Sequence, residues 1–111
     1  MTIPEISVHD AAAQVEAGAF LLDVRNDDEW TAGHAPAAHY VTLQQVPTRA
    51  GEVPTDRAVM VVCRAGGRSA QATEWLVANG VDAHNVLGGM QAWAAAGLPV
   101  VTDAGGPGTV I

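Results

Sequence analysis

Lysine is absent from this 111-residue chain, and cysteine occurs once, as Cys63. A lone thiol rules out a disulfide within one copy of the chain, a dithiol redox cycle and any cysteine-rich zinc site. All five cations are arginines (Arg25, Arg49, Arg57, Arg64 and Arg68), set against 12 acidic residues for a net charge of −7. That balance argues against nucleic acid or an acidic membrane surface as a partner, while a local positive pocket can still draw in a small anion. No apolar stretch approaches the length of a membrane span. The opening residues Thr2-Ile3-Pro4-Glu5 lack the basic region and apolar core of a secretory signal, so the expected compartment is the cytoplasm. His9, His39 and His84 show no metal-ligand spacing, and neither a metal nor an organic cofactor is expected.

The length suits one domain with a single core, expected over residues 1–101, followed by a mobile glycine-rich tail over 102–111. Apolar patterning alternates between helical and strand-like segments, the mark of an α/β domain with a mainly parallel sheet. Ser7 is placed to cap a helix through Glu16, with Gly18 as its stop. Phe20–Val24 reads as a buried strand, Asp27–Trp30 as a short helix, and His39–Thr42 as a short strand after the loop Gly33–Pro36. Between Leu43 and Pro54 the pattern permits one irregular helix, interrupted by Pro47. Ala58–Val62 has no polar residue and reads as a strand buried on both faces. Ser69 then caps a helix ended by Gly80, His84–Leu87 forms a strand, and Gly88-Gly89 introduces a last helix over Met90–Ala96.

Cys63 sits where the most apolar strand gives way to a helix, at the head of Cys63-Arg64-Ala65-Gly66-Gly67-Arg68-Ser69. Unpaired N–H groups at a helix N-terminus carry partial positive charge and stabilise a thiolate, and the two arginines add to it. Gly66 and Gly67 give the backbone the freedom to curl its amides inward as a nest around the sulfur. A cysteine phosphatase spaces its cysteine and arginine by five residues; here only four lie between Cys63 and Arg68. The smaller ring suits a cysteine carrying one extra sulfur atom better than a tetrahedral phosphate. With no resolving cysteine, whatever Cys63 accepts must pass to an outside acceptor.

The remaining polar candidates have structural readings. Asp23 and Arg25 are expected to form an ion pair with Glu29 or a turn, Asp27-Asp28-Glu29 a solvated first turn, and His34 a hydrogen-bonded turn. Trp30, Trp75 and Trp93 read as packing, and Gly88-Gly89 as a turn that lets the last helix approach closely.

The loop from Cys63 to Ser69, together with Leu22-Asp23-Val24-Arg25, Glu29-Trp30, Gly33-His34-Ala35-Pro36-Ala37-Ala38 and Leu87-Gly88-Gly89-Met90-Gln91-Ala92-Trp93, resembles the single-domain rhodanese family. The resemblance covers about residues 5–100 and follows the family's motif order. It implies a five-stranded, mainly parallel sheet with helices on both faces and a sulfurtransferase whose catalytic residue is Cys63. Arg64, Ala65, Gly66, Gly67, Arg68 and Ser69 would bind the substrate, with Arg64 attracting an anionic donor such as thiosulfate and the amides holding the persulfide charge. The acceptor would be cyanide, a thiol or a thioredoxin-like protein. Competing readings are a persulfide carrier served by protein partners, a non-catalytic binding module and, disfavoured by the short loop, a phosphatase or arsenate reductase.

Overall fold

Two uninterrupted apolar runs, Leu21-Leu22 and Val59–Val62, lie side by side at the centre of the sheet. The computed structural model describes residues 2–111. Its elements are β1 (Glu5–Ile6), α1 (Val8–Glu16), β2 (Phe20–Asp23), α2 (Asp27–Ala32), β3 (Ala38–Tyr40), β4 (Val59–Val62), α3 (Gly67–Ala78), β5 (Ala83–Val86) and α4 (Gly89–Ala95). The strand order is β1-β5-β4-β2-β3 and every pair is parallel. A fully parallel sheet needs cover on both faces, which explains why β4 carries no polar residue at all.

The two-residue period of the strands divides the core. Leu22, Val24, Val59, Val61 and Cys63 pack on one face with Ala72 and Leu76 of α3. Leu21, Met60 and Val62 pack on the other with Val8 and Ala11 of α1 and Met90 and Trp93 of α4. Cys63 therefore inherits the α3 side of the sheet from the alternation of β4. It emerges at the carboxyl end of a central strand, where α/β sheets place their ligand crevices.

Several sequence expectations need correction. β1 has only two residues, too few for any periodic signal, and was not expected; it is recruited by pairing with Asn85 and Val86 of β5. Leu43–Pro54 holds two short 3₁₀ turns, Leu43–Gln45 and Ala50–Glu52, in place of one helix. Residues 102–111, expected to be mobile, are tied to the body. Val101 bridges His34 and Pro107, Thr109 N donates to Ala32 O at 2.9 Å, and Gly108 N donates to Val100 O at 2.9 Å. Asp103 Oδ1 lies 2.8 Å from His34 Nε2, and Val110 packs against the α1/α4 core. Glycine content alone suggested mobility, but here small residues permit close backbone approach. Among the described residues, no helix is long and apolar enough to cross a membrane.

Candidate active site

The loop after β4 begins its helix earlier than Ser69. Gly66 is the N-cap of α3, at φ +120°, a conformation that L side chains rarely adopt. Gly67 opens the helix with ordinary φ and free space around its Cα, so only the first of the two glycines is required by backbone geometry. Ser69, expected as the cap, is instead inside the first turn and fully buried. From there its hydroxyl lies 3.3 Å from Cys63 Sγ and 2.6 Å from Asn85 Oδ1.

Cys63 is 1% exposed, yet its sulfur is not in an apolar setting. Gly66 N donates to Sγ at 3.1 Å. Burial pushes the thiol up, but the Ser69 hydroxyl and the backbone N–H groups of Ser69, Gly66 and Ala65 outweigh it and bring it below its ordinary value of 9.0. Hydrogen-bond donors rather than the arginines thus lead the stabilisation of the thiolate.

The inward aim of those amides is imposed from α4. Met90 N donates to Cys63 O at 2.7 Å and Gln91 N to Arg64 O at 3.0 Å. Across a trans peptide plane the carbonyl and the next N–H point in opposite directions, so fixing Arg64 O toward α4 turns the Ala65 N–H back toward the sulfur. The approach is close enough that a Cβ on Gly89 would stand 2.7 Å from the Arg64 carbonyl carbon and oxygen. The expected close-approach turn at Gly88-Gly89 is present, and the helix N-terminus it opens serves the chain's own carbonyls.

Both loop arginines are engaged elsewhere. Arg68 Nη1 and Nη2 donate to Glu29 Oε1 and Oε2 at 2.6 and 2.8 Å, a bidentate pair. Glu29 also accepts from Asn26 N at 3.1 Å at the start of α2. The Arg68 bond, ahead of the opposing effect of burial, holds the Glu29 carboxyl below its ordinary 4.5. Glu29, expected on a solvated turn beside Arg25, is therefore buried and paired with Arg68. Arg25 pairs with Asp23 instead, at 2.8 Å with both side chains fully buried, and also donates to Gly33 O at 2.7 Å. Arg64 Nε donates to Ile111 O at 2.9 Å, and with the Gln91 amide oxygen turned toward it both Arg64 Nη atoms lie 3.1 Å from that oxygen. His34 is a turn residue as expected, stacked on Trp30 with ring centroids 3.7 Å apart. No group of three or more His, Cys, Asp or Glu side chains able to hold a metal converges among the described residues.

Two residues of the site went unrecognised in the sequence. Asn85 is a buried polar residue in the otherwise well-packed β5, and its inward position in a parallel strand was the available signal. Glu29 as the partner of Arg68 carried none, because 39 residues separate them.

The model of the rhodanese-like domain family matches residues 7–96. A protein named sulfurtransferase from Allochromatium vinosum is 40% identical over 86 residues, covering 77% of this chain and 80% of that protein. The crystal structure of a rhodanese-like domain protein from Staphylococcus aureus is similar at 32% identity and TM-score 0.77, covering 82% of this chain and 91% of the other. A rhodanese-related protein from Thermoplasma volcanium superposes at TM-score 0.85 with 29% identity, covering 90% of this chain and 99% of that one.

Proposed function

This chain belongs to the rhodanese-like domain family, and from that premise we propose that it is a sulfurtransferase carrying sulfane sulfur on Cys63. The observation that carries the reading is the sulfur cradle: amides from Ala65, Gly66 and Ser69 and one hydroxyl converge on a single buried thiol. Such a nest stabilises negative charge on the sulfur or on a persulfide.

With thiosulfate as donor, the Cys63 thiolate attacks the outer sulfur. A new S–S bond forms, the S–S bond of thiosulfate breaks, and the electron pair leaves with sulfite. The product persulfide places its terminal sulfur about 2.05 Å beyond Sγ, nearer to an incoming acceptor. Cyanide or a thiolate then attacks that sulfur and returns Cys63 as thiolate. Arg64, at the exposed rim of the loop, draws in the anionic donor, and the loop amides hold the persulfide charge. Because Arg68 is committed to Glu29, it is not free to clamp phosphate oxygens, which weighs against phosphatase chemistry.

Intact-mass measurement after thiosulfate, and again after cyanide, tests the cycle. Cys63 should gain one sulfur atom and then lose it, and Cys63→Ser should gain none. Sulfur transfer retained by Cys63→Ser would overturn the reading. One observation favours a carrier role with protein donors: Glu29 neutralises Arg68, so of the two loop arginines Arg64 alone is left to attract a free dianion. Slow thiosulfate turnover beside rapid loading from a persulfide-bearing desulfurase would select it.

A further inference from the structure

Ser69 has one hydroxyl proton and two acceptors within reach, Asn85 Oδ1 at 2.6 Å and Cys63 Sγ at 3.3 Å. The amide orientation of Asn85 is not free. Its Nδ2 donates to Gly66 O at 3.3 Å, which leaves Oδ1 facing Ser69. Asn85 is 3% exposed on β5, Ser69 and Thr73 beside it are fully buried, and Thr73 Oγ1 spends its own proton on Ser69 O at 2.7 Å. No other donor is thus offered to Asn85 Oδ1 by these neighbours, and Ser69 must divide its proton between oxygen and sulfur.

We propose that Asn85 is a positioning residue for the Cys63 nucleophile, one that competes with the sulfur for the Ser69 hydroxyl proton and releases it as negative charge develops on Sγ or on a persulfide. When Cys63 is neutral the O–H points to Asn85. When it is charged the O–H swings to the sulfur, no covalent bond changes, and Asn85 keeps the loop in place through Gly66 O. The site thereby supplies a donor that strengthens with charge. This rests on the reading of Cys63 as the sulfur-accepting nucleophile.

The charged groups around the loop are few. Arg68 on α3 is paired with Glu29 from α2, Arg64 is turned to Gln91 on α4 and to Ile111, and at the end of β2 Arg25 bonds Asp23 and Gly33 O. His84, next to Asn85 on β5, bonds Asp82 Oδ1 at 2.9 Å. None of these groups bonds Asn85 or the Ser69 hydroxyl.

The test is the pH profile of Cys63 alkylation by iodoacetamide in the full chain. Removing the competing acceptor in Asn85→Leu should lower the midpoint by about one pH unit, because ionisation then no longer costs Ser69 its bond to Asn85. Ser69→Ala should raise it, and in the Ser69→Ala background Asn85→Leu should give no fall. A role confined to holding the loop predicts the reverse sign, since loosening Gly66 moves its N–H away from Sγ. A raised or unchanged midpoint in Asn85→Leu, or a fall that persists without Ser69, would overturn the proposal. Asn85→Ala replaces a variant that does not fold, and the wild-type chain provides a measurement free of substitution. There the side-chain carbonyl carbon of Asn85 should titrate by NMR with the Cys63 midpoint, and a flat response would refute the relay. Sulfur loading by mass is followed in parallel. An unloaded wild-type chain with the expected alkylation profiles would sink the sulfur-transfer reading and leave the relay standing.

Discussion

Gly89→Ala tests whether α4 shapes the thiol loop. At φ +55° the new side chain adopts a left-handed conformation, which costs an L-residue about 1–2 kcal/mol. Its Cβ would meet the Arg64 carbonyl at 2.7 Å, and backbone has no flexible end to yield. Either the overpacking persists, at about 1–3 kcal/mol, or the loop withdraws. Withdrawal forfeits the bonds from Met90 N to Cys63 O and from Gln91 N to Arg64 O, about 1 kcal/mol each. Strain and clash relief together come to about 2–5 kcal/mol, equivalent to a fall of about 8–20 °C in Tm for a chain of this size. Withdrawal also turns the Ala65 N–H from the sulfur, so Cys63 should alkylate more slowly at neutral pH, with its midpoint raised. Gly67→Ala is the control: with space around its Cα and no positive φ, it should hold stability or raise it by the ~0.4–1 kcal/mol that a compatible Gly→Ala change brings. Thermal unfolding by circular dichroism and iodoacetamide kinetics report both effects. A Gly89→Ala chain that melts within about 2 °C of wild type and alkylates normally would refute the argument.

Two further outcomes follow from contacts at the edge of the site. Glu29 has a folded-state carboxyl pKa lowered from 4.5, so its contribution to stability is complete above that value and is lost as pH falls below it through the folded-state pKa. Glu29→Gln should therefore cost about 1–3 kcal/mol at pH 7, discounted for the partial exposure of Arg68, and flatten the fall in urea-unfolding stability between neutral and acid pH; a wild-type slope in the variant would refute it. Gly33→Ala, in extended backbone, would place a Cβ 2.6 Å from Thr109 N and O, so the segment 102–111 should lift off and be cut faster by a protease while the sulfur environment keeps its alkylation midpoint. Unchanged cleavage would show that the segment accommodates the methyl.

The α/β class, the buried β4 run, the α1 cap at Ser7 and the position of Cys63 between strand and helix were all legible in the chain, because each is a local demand of periodicity, capping or burial. The loop length that separates a sulfur cradle from a phosphate cradle was countable too. The cap of α3 was misplaced by three residues because Ser69 is a good cap former, whereas Gly66, the residue able to hold φ +120°, takes the role. The tail was misjudged because glycine can signal freedom or close approach, and only its neighbours distinguish the two.

The sequence by itself thus determined a lone thiol in an amide-lined loop and the kind of fold that holds it. Only the tertiary structure decided which groups surround that thiol. Glu29 meets Arg68 across 39 residues and Asn85 meets Ser69 across 16, separations with no spacing signal, set by the parallel register of β2, β4 and β5. The same packing brings Gly89 against the Arg64 carbonyl and turns the amides inward. Local conformation is written in neighbouring residues, but the partners of a buried polar group are chosen by whatever the folded sheet and its helices bring within hydrogen-bond reach.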